Sequence, residues 1–380
     1  MDESIYFDHS ATSWPKPREV IERTVAAMQD LMANAGRSGH LASLNAARLV
    51  YDTRRRLARL FGVAHSEDLV FTSGATAGIN LVIKGLLARH DAVAISPMEH
   101  NAVLRPLSQM IAEREITVHE LPADPLGRID LQAAGCMARE RRYALLVVAH
   151  GSNVNGIVQD LRGLRRLFAD TPMLVDAAQT AGVIPIDVQG DGIDFLCASC
   201  HKGLLGPTGI GFCVLSAAHD VSPLIEGGTG SRSESIEHPL VRPDRYEAGT
   251  VNLHGIAGTA GALTSFEGRG YLGVHKRTLN SRLIEGLLEV PGVTVQSPRD
   301  GTALCVSLCV PGIGPDDLAR RLEREHGILG RPGLHCAPAA HRHLGTLPVG
   351  TLRLSPGWGN SEDQIDRAVR AIASIAAQAS

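Results

Sequence analysis

The sequence predicts an α/β protein: a large domain built on a mainly parallel sheet, followed by a smaller α+β C-terminal domain. Three observations carry this. Short apolar runs alternate with helical patterns from about residue 71 to residue 212. The runs are apolar along their whole length, as strands buried on both faces are, rather than on alternate positions. From about residue 263 the alternation stops, and a long polar helix, separated strands and a closing helix take over.

In order, "LVFTSG", "AVAISP", "ITVHELP", "YALLVVAHG", "MLVDAAQ" and "FLCASCH" read as the buried strands. Residues 77–87, 102–113, 131–139 and 161–168 read as the helices connecting them. "GIGFCVL" reads as an added antiparallel strand. Beyond it, "HKRTLNSRLIEGLLEV" is a helix, "GVTVQSP", "TALCVSLCV" and "GTLRLSPGW" are strands, residues 315–325 are a helix, and "SEDQIDRAVRAIASIAAQ" closes the chain. Ser361 followed by Gln364 is a helix N-cap pattern. The expected division is 15–262 for the large domain, with 1–14 and 263–380 forming the small one. The first segment is expected to join the small domain or lie across the cleft.

With 380 residues the chain can bury a large core in two domains. Its net charge of −3 offers nothing that selects nucleic acid or an anionic membrane. No apolar run approaches the length of a bilayer span. The start, "MDESIYFDHS", lacks the basic region and apolar core of a signal peptide, so the expected location is the cytoplasm. Seven cysteines, an odd number spread thinly, argue against a disulfide framework. Cys197 and Cys200 form a C-x-x-C with no second pair and read as buried strand-end thiols. Cys305 and Cys309 share strand parity and read as core. No metal site is expected.

Parallel sheets gather ligands at the carboxyl ends of their strands. Gly74, Ala75 and Thr76 open a helix after the first strand and offer free N–H groups to a phosphate. His100 follows the second, where an imidazole could stack on a flat ring. Asn153 follows "LLVVAHGS". Asp176 ends an apolar strand, where a carboxylate needs a partner, and Gln179 stands just beyond. Ser199, His201 and Lys202 follow "FLCAS". A desolvated lysine there is a nucleophile toward carbonyls. There is no Walker A motif, and no G-x-G-x-x-G lies between a strand and a helix. An acid for a pyridinium, a lysine for an aldehyde, a phosphate cup and a stacking imidazole together describe pyridoxal 5'-phosphate.

Laid out in this way, the sequence resembles the class V aminotransferase family and, within it, the group II (selenocysteine lyase-like) cysteine desulfurases. The resemblance rests on "YFDHSATSWPKP", "FTSGATAGIN", "MEHNA", "HGSNVNGIV", "VDAAQTAG", "ASCHKGLLGPTGIG", "EAGTVNLHGI", "RPGLHCAPAAH" and "TLRLSPG". It implies fold type I of the pyridoxal phosphate-dependent transferases. It further implies that Lys202 would hold the cofactor as a Schiff base, Asp176 would pair with the ring nitrogen, His100 would stack on the ring and Gln179 would bond the phenolic oxygen. Asn153 would contact cofactor or substrate. Ala75, Thr76, Ser199 and His201 would bind the phosphate, and Thr250 would reach the phosphate of the neighbouring subunit in a homodimer. Arg353 would clamp the substrate carboxylate, with Ser10 and Ala11 near it.

The implied reaction converts L-cysteine to L-alanine, with Cys336 attacking the substrate sulfur and carrying it as a persulfide to an acceptor protein. Lys202 and His100 would move protons. L-selenocysteine is the alternative substrate, handled by the same residues. A class V transaminase acting on small amino acids is a further alternative, which would not use Cys336. Leu334, Cys200 and "SPGWGN" depart from the common group II pattern, and two of them bear on the substrate pocket. Cys336 itself stands in "GRPGLHCAPAAH", where glycines and prolines are expected to break any regular element. His335, His341 and His343 make zinc the competing reading of that stretch.

Overall fold

The computed structural model describes residues 4–30, 33–36 and 38–379. β1 (Ile5–Tyr6), α1 (Arg18–Gln29) and α2 (Leu41–Leu60) come first. Then follow β2 (Leu69–Thr72), α3 (Ala75–Leu86), β3 (Ala92–Ile95), α4 (Asn101–Arg114), β4 (Thr117–Glu120), α5 (Leu131–Glu140), β5 (Leu145–Ala149), α6 (Leu161–Leu167), β6 (Met173–Asp176), β7 (Phe195–Ser199) and β8 (Gly211–Leu215). Strands β2 to β8, of four or five residues each, make one seven-stranded sheet of order β2-β8-β7-β6-β5-β3-β4. β3 to β7 run parallel, and β8 is antiparallel to both β2 and β7. Every residue of β5, β6, β7 and β8 is buried, as their unbroken apolar runs require. β4 differs from expectation. It is the edge strand, with Thr117 and Glu120 exposed, because nothing pairs beyond it.

The helices connecting the strands cover both faces of this sheet. α3 lies against β7 and β8 so closely that a Cβ at Gly78 would stand 2.9 Å from Cys197 Sγ. Glycine at that position sets the depth of the helix and, with it, the place of its N-terminus at the cleft.

The remaining elements are α7 (Leu253–Arg269), α8 (Gly273–Leu288), β9 (Thr294–Val295), β10 (Val306–Cys309), α9 (Pro315–His326), β11 (Ile328–Leu329), β12 (Arg331–Gly333), α10 (Pro338–His343), β13 (Thr351–Leu354) and α11 (Glu362–Ala379). β12-β13-β10-β9 form an antiparallel sheet, and β1 pairs in parallel with β11. A second core forms here from Leu283, Leu308, Leu322, Leu354 and Ile372, and it takes in Ile5 and Phe7 from the N-terminus. Ser361 and Gln364 make the reciprocal bonds of a capping box at α11.

Two expectations change. α7, which the sequence reading did not assign, runs through 262 and 263, because its small-residue face packs along α1 and α2. The "GRPGLHCAPAAH" stretch also holds regular structure. β12 precedes Cys336 and α10 follows it, with Pro338 in the first turn, where a missing N–H costs nothing. No described helix is long and apolar enough to cross a membrane.

Candidate active site

The strand ends converge as the sequence suggests. Ser10, Ala11, Ala75, Thr76, His100, Asn153, Asp176, Gln179, Ser199, His201 and Lys202 line a single cleft of about 810 Å³. Arg331, which the sequence does not single out, and His335, named there only as a candidate zinc ligand, line it too. The only hint of Arg331 in the sequence is its place at the head of "RPGLHCAPAAH". Three expected residues lie outside this lining: Thr250, Cys336 and Arg353.

At one end, α3 begins at Ala75 and therefore presents its first N–H groups at the cleft. Ser199 Oγ accepts from the Ala75 N–H at 2.9 Å, which ties the end of β7 to this helix start. His201 Nδ1 meets Thr12 Oγ1 at 3.0 Å, and burial beside Lys202 and Lys16 lowers its pKa to about 4. A neutral imidazole, hydroxyls and the positive end of a helix suit an anionic phosphate.

In the middle, Asp176 is 7% exposed, and one of its oxygens accepts from Ala178 N–H at 2.9 Å. His100 caps α4: its Nδ1 accepts from Ala102 N–H at 3.0 Å. A neutral His100 must then carry its proton on Nε2. Burial lowers its pKa, with Asp176 opposing and Lys202 reinforcing. The pKa of Lys202 falls to about 8, chiefly through burial, with Asp176 pulling the other way. Glu99, beside His100, is fully buried. It accepts from Ala149 N–H at 2.7 Å and from the Ser96 hydroxyl, and its other oxygen has no partner among the described residues. Burial raises its pKa to about 8, so it is mostly neutral at pH 7.

At the other end, residues 10–16 are stitched to the cleft. Gln179 Nε2 donates to Ser10 O at 3.0 Å, and Ser13 and Lys16 both donate to His201 O. Arg353 has no exposed surface. Its guanidinium donates to Asp8 at 2.5 Å and to Asn153 O at 2.7 Å, while its Nε has no partner among the described residues. Arg331, the register partner of Arg353 on the neighbouring strand, lines the cleft.

Cys336 is exposed, and Arg331 Nη2 reaches its Sγ at 3.6 Å. Its loop is held from both sides: Asn153 Nδ2 donates to His335 O at 2.6 Å, and Asn101 N–H to Cys336 O at 2.8 Å. The geometry of this stretch gives the zinc reading no support. Both ring nitrogens of His335 are engaged, with Arg331 O and His341, and His343 bonds Asp124 O. Among the described residues no group of three or more metal-ligating side chains gathers. Cys197 and Cys200 are fully buried, and Cys197 lies 3.5 Å from Cys213 on the neighbouring strand.

The donor set fits pyridoxal phosphate: a carboxylate at a strand end, a lysine of lowered pKa and an N-terminal helix turn, all on one cleft. The fold and site define a fold type I enzyme dependent on that cofactor. The class V aminotransferase family model matches residues 5–368. A protein of Pyrococcus abyssi named "Probable cysteine desulfurase" is 34% identical, over 96% of this chain and 92% of its own length. A cysteine desulfurase of Salmonella gallinarum is 30% identical over 97% and 93%. The apo structure of the Thermococcus onnurineus cysteine desulfurase superposes with a TM-score of 0.90 at 31% identity, covering 99% of this chain and 96% of that one. The chain belongs to the class V aminotransferase family.

Proposed function

We propose that this protein is a cysteine desulfurase: it converts L-cysteine to L-alanine and leaves the sulfur as a persulfide on Cys336. One observation carries the reading beyond its relatives' names. A thiol on a loop bonded to Asn101 and Asn153 stands beside the arginine that lines the cofactor cleft. A transaminase has no use for it.

Pyridoxal phosphate, when bound, supplies an electron sink for chemistry at the substrate's α-carbon. Lys202 would hold it, Asp176 would keep its ring nitrogen protonated, and the α3 N-terminus with Ser199 and His201 would bind its phosphate. His100 would stack on its ring, with Gln179 near its phenolic oxygen. A lysine amine of lowered pKa loses and regains a proton readily near neutrality, as removal of an α-proton requires. His100 Nε2 holds a second movable proton. Cys336 attacks as thiolate: its S–S bond to the substrate forms as the substrate's Cβ–Sγ bond breaks. That electron pair stays on carbon, which gains a proton and leaves as alanine. Arg331 faces the substrate space, and Arg353, behind Asn153, would orient the carboxylate together with the Ser10–Ala11 segment.

A homodimer is part of this reading. Trp14, Ile21, Met28, Leu41, Ile236 and Leu240 expose large apolar surface. Thr250 lies in a separate groove with Thr72 and Ile210, which supports its reaching the phosphate of a neighbouring subunit. The separate second core supports a two-lobed division, with α7 continuing the first lobe to Arg269. An exposed Cys336 suits transfer to an acceptor protein, and a cytoplasmic setting would keep it reduced. L-selenocysteine would use the same residues.

Substituting Cys336 tests the reading. Cys336→Ala should abolish alanine formation from L-cysteine while leaving the bound cofactor's visible absorbance intact. Retained transamination between alanine and glyoxylate, with no cysteine activity in either protein, would establish the transaminase instead.

A further inference from the structure

The turn that carries Cys336 needs support. His335 and Cys336 have φ of 51° and 57°, two successive non-glycine residues in the left-handed region. L side chains resist that conformation, and it persists where surrounding contacts hold it.

The contacts form a directed chain. Arg331 O can only accept, so His335 Nε2, 2.9 Å away, carries the proton. His335 is 2% exposed, and burial near Arg353 lowers its pKa to about 3, so it is neutral and its Nδ1 accepts. The donor to Nδ1 is His341 Nε2 at 3.1 Å. His341 is fully buried, with its pKa lowered to about 4, so its Nδ1 accepts in turn. The Thr346 hydroxyl, at 2.7 Å, supplies that bond. A single terminal carbonyl thus fixes both tautomers and the hydroxyl rotor. The two rings stack with centroids 5.2 Å apart. The chain ends on the backbone of Arg331, the residue whose guanidinium touches the thiol.

We propose that His341 and Thr346 are positioning residues for Cys336: through His335 they hold the left-handed turn that keeps its thiol against Arg331. That this position serves sulfur transfer rests on the desulfurase reading; the position itself does not. Neither residue touches the cleft, and Thr346 lies ten residues beyond the thiol, after α10.

Alkylation of Cys336 by iodoacetamide in the holoenzyme, followed on the Cys336 peptide by mass spectrometry, tests this. The thiol is already exposed. Loosening the turn therefore gains it no access and loses it a cationic neighbour for its reactive thiolate. Thr346→Val, nearly isosteric, should slow alkylation about five-fold, the worth of one neutral hydrogen bond. Thr346→Ser should restore the wild-type rate, and His341→Phe should slow it further, with cofactor absorbance unchanged in the threonine variants. Wild-type or faster alkylation in Thr346→Val, or a serine variant as slow as the valine one, overturns the proposal. If the alkylation pattern holds but cysteine yields no alanine, the desulfurase reading fails and the positioning role stands.

Discussion

Arg353 and Asp8, 345 residues apart in the chain, form an ion pair of 2.5 Å in which the guanidinium has no exposed surface. The pair joins the N-terminal segment to β13 beneath the cleft, together with the Ser10 N–H bond to Ser355 Oγ.

Asp8→Asn should therefore destabilise the protein well beyond an ordinary surface change. Removing one partner leaves Arg353 as a buried charge without its counterion. Asp8 is 23% exposed, which screens part of the loss. A cost of about 2–3 kcal/mol in urea unfolding is expected. Loss of under about 0.5 kcal/mol would mean that the pair does not hold this segment.

Glu99 gives a pH signature with a definite sign. Its folded pKa, about 8, lies above its value in an unfolded chain. The folded state therefore binds the extra proton between those values, and stability falls as pH rises toward 8. Glu99→Gln is neutral at every pH and keeps an acceptor for Ala149. Its melting temperature should match wild type near pH 4 and exceed it at pH 8 to 9. A constant difference across that range would show that Glu99 ionises normally in the fold.

His100 has two jobs that substitution can separate. His100→Asn keeps a side-chain acceptor for the start of α4 and loses the movable proton at Nε2. It should hold its stability within about 0.5 kcal/mol while kcat falls about 100-fold or more. His100→Ala should lose about 1 kcal/mol of stability in addition. Equal activity in Asn and wild type would remove His100 from proton transfer.

Ser199→Ala should weaken cofactor retention. It removes the acceptor that ties β7 to the Ala75 N–H at the phosphate end. An increase of about ten-fold in the dissociation constant for pyridoxal phosphate is expected, measured by absorbance titration. Unchanged affinity would place the phosphate elsewhere.

Much of this was legible in the sequence because strands buried on both faces write themselves as unbroken apolar runs, and each ends on a chemically distinctive residue. "MLVD" and "FLCAS" gave both the strand and the site. β4 was misjudged because "ITVHE" is apolar enough to resemble a central strand, and edge position is a property of neighbours. The order inside the Cys336 stretch was hidden because glycine and proline signal breaks, while what stabilises the turn is bonding from His341, Thr346, Asn153 and Asn101. Arg331 was overlooked because its place in the cleft depends on the folded neighbourhood of the Cys336 turn. Both arginines are plain in the sequence and, as register partners, share one face of the sheet, but only the fold shows that Arg331 lines the cleft while Arg353 is covered by Asp8 and Asn153. α7 lacks the charge alternation of a surface helix and was passed over.

The most direct test of the central claim is the mass of the Cys336 peptide after a single turnover with L-cysteine and no reductant. The account requires one alanine released per subunit and the mass of one sulfur atom added at Cys336, with neither event in Lys202→Ala. Alanine appearing while Cys336 keeps its unmodified mass, or sulfur accumulating on another cysteine, would contradict it.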